Sequence, residues 1–408
     1  MTFTRPIWAE ISRNKLIHNF RLLRRRAGAE AETVAVAVVK ANAYGHGLEA
    51  CAQALAADGA RWFAVTCVEE AVALRAALGD HAEVQRASTT ENAENTEKNC
   101  EAFGPRILAL SGVWPGEAEA VIEHGLTPSV WEPEHLELLE AAARKRGSGA
   151  GSVAVHLEID TGMSRQGVQP ERLEPVLARL GPGSPLRVEA VMTHFHSPDH
   201  AEATAAQIRQ FVTAVDTIVR SGIRPEFLSA GSSADVLSQT TASVTELART
   251  IGARRMVRTG ISLYGYPPHG GIGAELQPVL AWKARISSVR EIEAGTTAGY
   301  GGTFTARRRT RLALLPAGYA DGLNRLLSNK GWVLVRGQRA PVVGRVSMDQ
   351  SMVDVTEIAG AAAGDEAVLI GEQGAERVTA ADLAELTGTI PYEVLCAIAP
   401  RVTRVMVG

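Results

Sequence analysis

"TVAVAVVKANAYGHG", Thr33 to Gly47, sets Lys40 at the end of an apolar, β-branched run and follows it at once with a polar turn containing glycine. The run reads as a buried strand. An ammonium in such a place is costly unless it is paired, neutralised or covalently used. Lys40 therefore needs a task, and its position at the carboxyl end of a strand says where to look for one.

Working outward, seven further runs have strand character: "RWFAVTC" (61–67), "RILAL" (106–110), "LTPSVW" (126–131), "SVAVHLEI" (152–159), "RVEAVMTHF" (187–195), "EFLSA" (226–230) and "RMVRTGISLYG" (255–265). Amphipathic stretches such as "GLEACAQALAADG" and "EATAAQIRQFVTAVDTIVRSG" lie between them, several closing on Gly as helices often do. Eight strands alternating with helices predict an α/β fold, a parallel (β/α)8 TIM-type barrel over residues 11–275. From about residue 276 the texture changes to short strands with turn signals, which predicts a C-terminal mainly β domain over 276–408, with residues 1–10 joining it. The polar segment Asp80 to Pro105 is far longer than a typical barrel loop and reads as a solvated excursion or a lid.

Composition narrows the partners. The 408 residues are 46% hydrophobic and 21% charged, and a formal net charge of -3 offers no footprint for nucleic acid. Cys51, Cys67, Cys100 and Cys396 are widely spaced and form no CxxC, so reduced thiols fit best and no metal site is expected. The opening "MTFTRPIWAEISRN" lacks the basic and apolar regions of a secretory signal, and no apolar run reaches membrane-spanning length. A cytoplasmic protein is the expectation.

Barrel chemistry gathers at the carboxyl ends of the strands, where Lys40 is joined by "DTGMSRQG", "THFHSPD", "GSSAD" and the "RTG" of the last strand. Each has a plain structural alternative. "GSSAD" suits a helix cap as well as a phosphate site. Arg258 could be a structural ion pair, His194 a satisfied core histidine, and Asp160 and Arg165 could pair with each other.

Taken together and in order, "AVVKANAYGHG", "DTGMSRQG", "THF", "RTGISLYG", "AGYGGTF", "GYADG" and "GRVSMDQSMVDVT" resemble the alanine racemase family, and the resemblance runs from "IWAEISRNKLIHNF" to "IPYEVLCAI". It implies pyridoxal 5'-phosphate as cofactor, a small amino acid as substrate, and a head-to-tail homodimer with shared active sites. By that resemblance Lys40 forms the Schiff base with the cofactor and serves as one base, while Tyr300 of the partner subunit serves as the other on the opposite face. Tyr44, Ser232, Gly260 and Ile261 would hold the phosphate. Arg258 would face the pyridine nitrogen, with His194 holding Arg258. Arg165 would contact the cofactor's phenolic oxygen and, with the backbone of Met348, the substrate carboxylate. Tyr319, Arg325 and Asp349 would line the access route.

Three positions depart from the family's usual pattern. Gly231 stands where Asn often precedes the phosphate-binding Ser. Glu158 stands where many members carry a carbamylated lysine, and is expected to orient Arg165 with its own charge. Pro400 replaces a tyrosine that narrows the pocket, which suggests some tolerance for serine. Two rivals differ in kind: an amino-acid decarboxylase, which needs an acid where Arg258 stands, and a non-catalytic pyridoxal phosphate carrier, which resembles the barrel alone.

Overall fold

In the computed structural model, which describes residues 5–29, 31–79, 104–238, 240–270 and 272–408, the apolar run that ends at Lys40 is one stave of a closed barrel. The first strand of the chain, β1 (Ile7–Ser12), lies outside it. The staves are β2 (Thr33–Val38), β3 (Trp62–Val65), β4 (Arg106–Ala109), β5 (Thr127–Val130), β6 (Val153–Glu158), β7 (Leu186–Met192), β8 (Phe227–Ser232) and β9 (Arg254–Thr259). All pair in parallel, as helical crossovers require, and β2 meets β9 to close the ring. The closing register sets Val36 opposite Arg258 and Ala37 opposite Thr259. The strand that delivers Lys40 thus runs beside the strand that carries Arg258.

The last stave is shorter than the sequence predicts. Strand geometry stops at Thr259, and Ile261–Tyr264 forms a short 3-10 turn. Tyr264 is buried and donates its hydroxyl to Val38 O at 3.1 Å, which ties this turn to the end of β2. The long polar segment falls outside the described residues up to position 103, and so does Cys100; Cys51, Cys67 and Cys396 are free thiols.

The amino end of the barrel is closed by charge as well as by apolar packing. Arg106 opens β4 and reaches across to Glu189 on β7 at 2.9 Å, with Thr127 of β5 as a further acceptor. These strands are not neighbours, so the pair spans the interior. The Arg106 guanidinium also lies over the Trp62 ring at 4.7 Å. His156 of β6 is fully buried beside Glu189, 3.5 Å from it.

A second compact unit comprises the chain through Lys15, Asn42–Gly47 and Gln277–Gly408; the barrel unit comprises Leu16–Ala41 and Leu48–Leu276. The second unit is built on a ten-stranded sheet. In it β1 pairs antiparallel with Leu280–Arg285 on one side and parallel with Thr403–Val407 on the other. Its helix Ala380–Thr387 opens with a Thr379–Asp382 capping box and closes on Gly388 in the left-handed region. No helix among the described residues is long and apolar enough to cross a membrane.

Glu189 gives a test of the interior plug. Burial alone would raise its pKa, but the His156 contact and the Arg106 and Arg187 charges outweigh burial and hold it at about 2, below the ordinary 4.5. A depressed carboxyl stabilises the fold above its unfolded pKa and loses that contribution as pH falls through the folded value. Stability is therefore expected to decline between about pH 4.5 and pH 2. Glu189→Gln should flatten that acid limb and cost about 2–3 kcal/mol at neutral pH, with Arg106 left unpaired but partly hydrated. Denaturation curves across that pH range check both.

Candidate functional site

Val39 N–H donates to Ala64 O at 2.8 Å, extending the β2–β3 pairing one residue beyond the strand and fixing the point at which Lys40 leaves it. Glu70 secures the departure. One of its oxygens accepts from Ala41 N at 2.7 Å and the other from Thr66 N at 2.9 Å, so a single carboxylate ties the loops after β2 and β3 together. Ala41, Asn42, Ala43 and Tyr44 then all take φ between +51° and +55°, a left-handed turn built from residues with side chains. Each such residue costs roughly 1–2 kcal/mol relative to the right-handed form. Strain of this kind persists only where the surroundings over-determine it, and it clusters at functional sites.

Across the mouth, Arg258 is buried, and its two terminal nitrogens are held by uncharged acceptors. Nη1 donates to Ser229 O at 2.9 Å and Ser229 Oγ at 2.7 Å, and Nη2 to Thr193 O at 2.7 Å and His194 Nδ1 at 3.2 Å. Nδ1 can accept only when His194 is neutral at that nitrogen. Burial, then the charges of Arg258, Arg165 and Lys40, push the His194 pKa down to about 3. Those same contributions mark Lys40, Arg165, His194 and Arg258 as one electrostatic cluster, drawn from β9 and from the segments that follow β2, β6 and β7.

The β6 loop is braced internally. Asp160 accepts from Gly162 N at 2.9 Å and Ser164 N at 3.0 Å, and forms no ion pair with Arg165. Thr193 Oγ1 meets Ile159 O and Thr161 Oγ1, and Gln207 Nε2 spans Thr161 and His194 O. Glu158, expected to orient Arg165 by its charge, feels the charge of Arg165 and is itself held by a neutral amide. Its Oε2 accepts from Gln166 Nε2 at 2.7 Å, and no ion pair among the described residues joins it to Arg165. Burial raises the Glu158 pKa against the opposing charges of Arg258 and Arg165. Gln166 also donates to Leu110 O at 3.0 Å, so the amide, one residue from Arg165, is what fixes Glu158 to the loop.

At the end of β8, Ser232 gives both its N–H and its hydroxyl to Asp235 Oδ2, at 2.7 and 3.0 Å. Gly260 N donates to Ser233 Oγ at 2.9 Å, and Ile261 opens the turn anchored by Tyr264. These donors face one another across the ends of β8 and β9.

In the second unit, Tyr44 is buried with its ring 6.1 Å from that of Tyr392, and burial raises the pKa of both phenols, that of Tyr392 to about 12. Tyr300 is 72% exposed and Met348 54% exposed. Tyr319 and Ala320 donate their N–H groups to Ser347 O and Met348 O at 3.0 and 2.9 Å, which locks the Tyr319 turn against the Met348 loop. A Cβ at Gly318 would stand 2.3 Å from Met348 O, so only glycine permits this approach. Arg401 joins Asp321 and Asp349, each at 2.7 Å, and Arg5 also reaches the buried Asp321; Arg325 is exposed nearby in sequence.

Sequence reasoning missed Glu70, Gln166, Asp235 and Arg401. For Asp235 a signal existed, since "SSAD" has the spacing of a capping box. The others act through contacts that only the folded chain creates.

Residues 11–268 match the family model described as alanine racemase, N-terminal domain, and residues 279–406 match alanine racemase, C-terminal domain. The alanine racemase of Symbiobacterium thermophilum is 39% identical over 407 residues, 98% of this chain and 97% of that protein. Among solved structures, the alanine racemase of D-cycloserine-producing Streptomyces lavendulae aligns with a TM-score of 0.85 at 31% identity, over 100% of this chain and 98% of that one. The alanine racemase of Bartonella henselae, solved with covalently bound pyridoxal phosphate, aligns with a TM-score of 0.79 at 27% identity, over 98% of this chain and 99% of that one.

The left-handed turn yields a prediction. Ala41 is exposed, so Ala41→Gly removes little packing while relieving one strained residue. After the added freedom of glycine in the unfolded chain, a net gain of about 0.5–1 kcal/mol is expected in chemical denaturation. A loss of stability would show that the turn is not strained.

Proposed function

The chain belongs to the alanine racemase family, and from that premise we propose that it interconverts L- and D-alanine with pyridoxal 5'-phosphate in a homodimer with shared sites. We assign it to the cytoplasm, as a source of D-alanine for peptidoglycan precursors. The observation that carries the reading is the Arg258 clamp, a buried donor-only side chain held by neutral acceptors beside a neutral His194.

The residues present fit that cofactor. A carboxylate already sits on the N–H and hydroxyl of Ser232, which makes that pair a working anion acceptor site. Ser232, Gly260, Ile261 and Tyr44 would hold the phosphate, Lys40 would hold the cofactor covalently, and Arg258 would meet its ring nitrogen. When bound, the cofactor supplies a conjugated ring that draws charge from the substrate's α-carbon and so acidifies its hydrogen.

Lys40 takes or returns that hydrogen on one face of the carbon, and the partner's Tyr300 does so on the other. Two groups are needed because one base on a rigid site cannot reach both faces. Arg258 donates without surrendering its proton, which moderates the charge withdrawal and favours return of the hydrogen over decarboxylation. Arg165 and the N–H of the partner's Met348 bind the substrate carboxylate. Tyr319, Arg325 and Asp349 line the access route. The exposure of Tyr300 and Met348 supports this division, since groups of that kind need a second surface to act on. Pro400 is exposed and carries no phenol, which favours a secondary activity on serine.

Lys40→Ala and Tyr300→Phe should each lower racemisation by at least about 10²-fold, and only Lys40→Ala should abolish the yellow chromophore. Refolding the two variants together should restore about a quarter of wild-type activity, because half of the random dimers carry one intact composite site. No recovery would mean that each site is built from one chain. In a panel of L-Ala, L-Ser, L-Lys and L-Arg, D-isomer formation should rank Ala first and Ser second, with the basic amino acids inert.

A further inference from the structure

We propose that Asp235 is a resident competitor for the cofactor phosphate, seated on the phosphate donors until the cofactor arrives and then turning toward Arg255. The proposal rests on the reading that Ser232, Gly260 and Ile261 hold that phosphate.

Asp235 is 1% exposed, on the short helix Ser233–Ser238 that follows β8. One oxygen takes the Ser232 N–H and hydroxyl, at 2.7 and 3.0 Å, and the other takes the Thr240 hydroxyl at 3.0 Å. Elsewhere this would be a capping box and nothing more. Here the captured donors are those an incoming phosphate needs. A carboxylate and a phosphate cannot share them, because two like charges in contact repel strongly away from bulk water.

Arg255 supplies the destination. It is 6% exposed, and among the described residues its terminal nitrogens meet the hydroxyls of Thr241 and Thr245. Its Nε is buried and has no acceptor. A buried guanidinium with an orphaned donor is an unmet demand for a carboxylate. Burial lowers its pKa, and Asp235 supplies the opposing charge.

Gly231 lies between the two. A Cβ at that position would stand 3.2 Å from Asp235 Cβ and 3.6 Å from Arg255 Nη2, on backbone with φ +102°. Any side chain there would obstruct the space through which the carboxylate must turn. Glycine leaves it open, which gives a physical reason for Gly231 in this chain.

The test titrates the full-length apoprotein with pyridoxal 5'-phosphate and, separately, with pyridoxal, which lacks the phosphate. Asp235→Asn keeps the shape and an acceptor but removes the charge. It should tighten pyridoxal 5'-phosphate by about tenfold and leave pyridoxal unchanged. Arg255→Gln removes the destination and should weaken pyridoxal 5'-phosphate severalfold, again sparing pyridoxal. An unchanged pyridoxal 5'-phosphate constant in Asp235→Asn, or an equal shift for both ligands, would reduce Asp235 to a helix cap and overturn the proposal. Should Asp235→Asn fail to fold, Arg255→Gln decides by the same criterion. Ser232→Ala separates the two levels: if it weakens both ligands equally, the phosphate lies elsewhere and the underlying reading is what fails.

Discussion

A guanidinium buried without a carboxylate in contact is the constraint from which the barrel's mouth follows. Arg258 has given up its water and, among the described residues, recovers hydrogen bonds from Ser229, Thr193 and His194. The ends of β7 and β8 must therefore turn carbonyls inward, and His194 must stay neutral to offer its lone pair. The threonine and glutamine contacts around Thr161, Thr193 and Gln207 hold those carbonyls in place. A side chain so fixed is pre-organised, since its direction is set before any ligand is present.

The barrel interior carries polar groups at two levels. Near the amino end a buried carboxylate, Glu189, is compensated by arginines, and the result is a plug. Near the carboxyl end Lys40, Arg165 and Arg258 gather around His194, with Glu158 and Asp235 as the buried carboxylates that act on Arg258. His156 lies between the levels, fully buried, with both ring nitrogens short of a good hydrogen bond. Burial lowers its pKa, and the charges of Arg106 and Arg258 act in the same direction while Glu189 opposes them. The cations at the carboxyl end stand at the mouth, where an anionic ligand can meet them.

Much of this was legible in the sequence, because two signals are local. Alternation of β-branched runs with amphipathic stretches gives the barrel, and the lysine after Val39 marks its mouth. What stayed hidden depends on long-range geometry. The end of the last stave at Thr259 follows from the break at Gly260, inside a run that keeps strand-like composition throughout. Glu158 was expected near Arg165 because it stands where the family often has a carbamylated lysine, whereas the amide of Gln166 that takes its carboxylate left no signal. The left-handed turn after Lys40 was also hidden, since "ANAY" has no glycine to announce positive φ. Backbone forced against its preference leaves no compositional trace.

The pairing of β1 with both Leu280–Arg285 and Thr403–Val407 has a consequence for biogenesis. β1 must wait for Thr403–Val407, made far later, before it is flanked on both sides. During synthesis it presents two bare edges, the state most open to wrong partners, while the staves between are already able to assemble. Completion of that sheet thus waits on synthesis through Val407, and a nascent chain stalled before Thr403 would leave one edge of β1 unshielded.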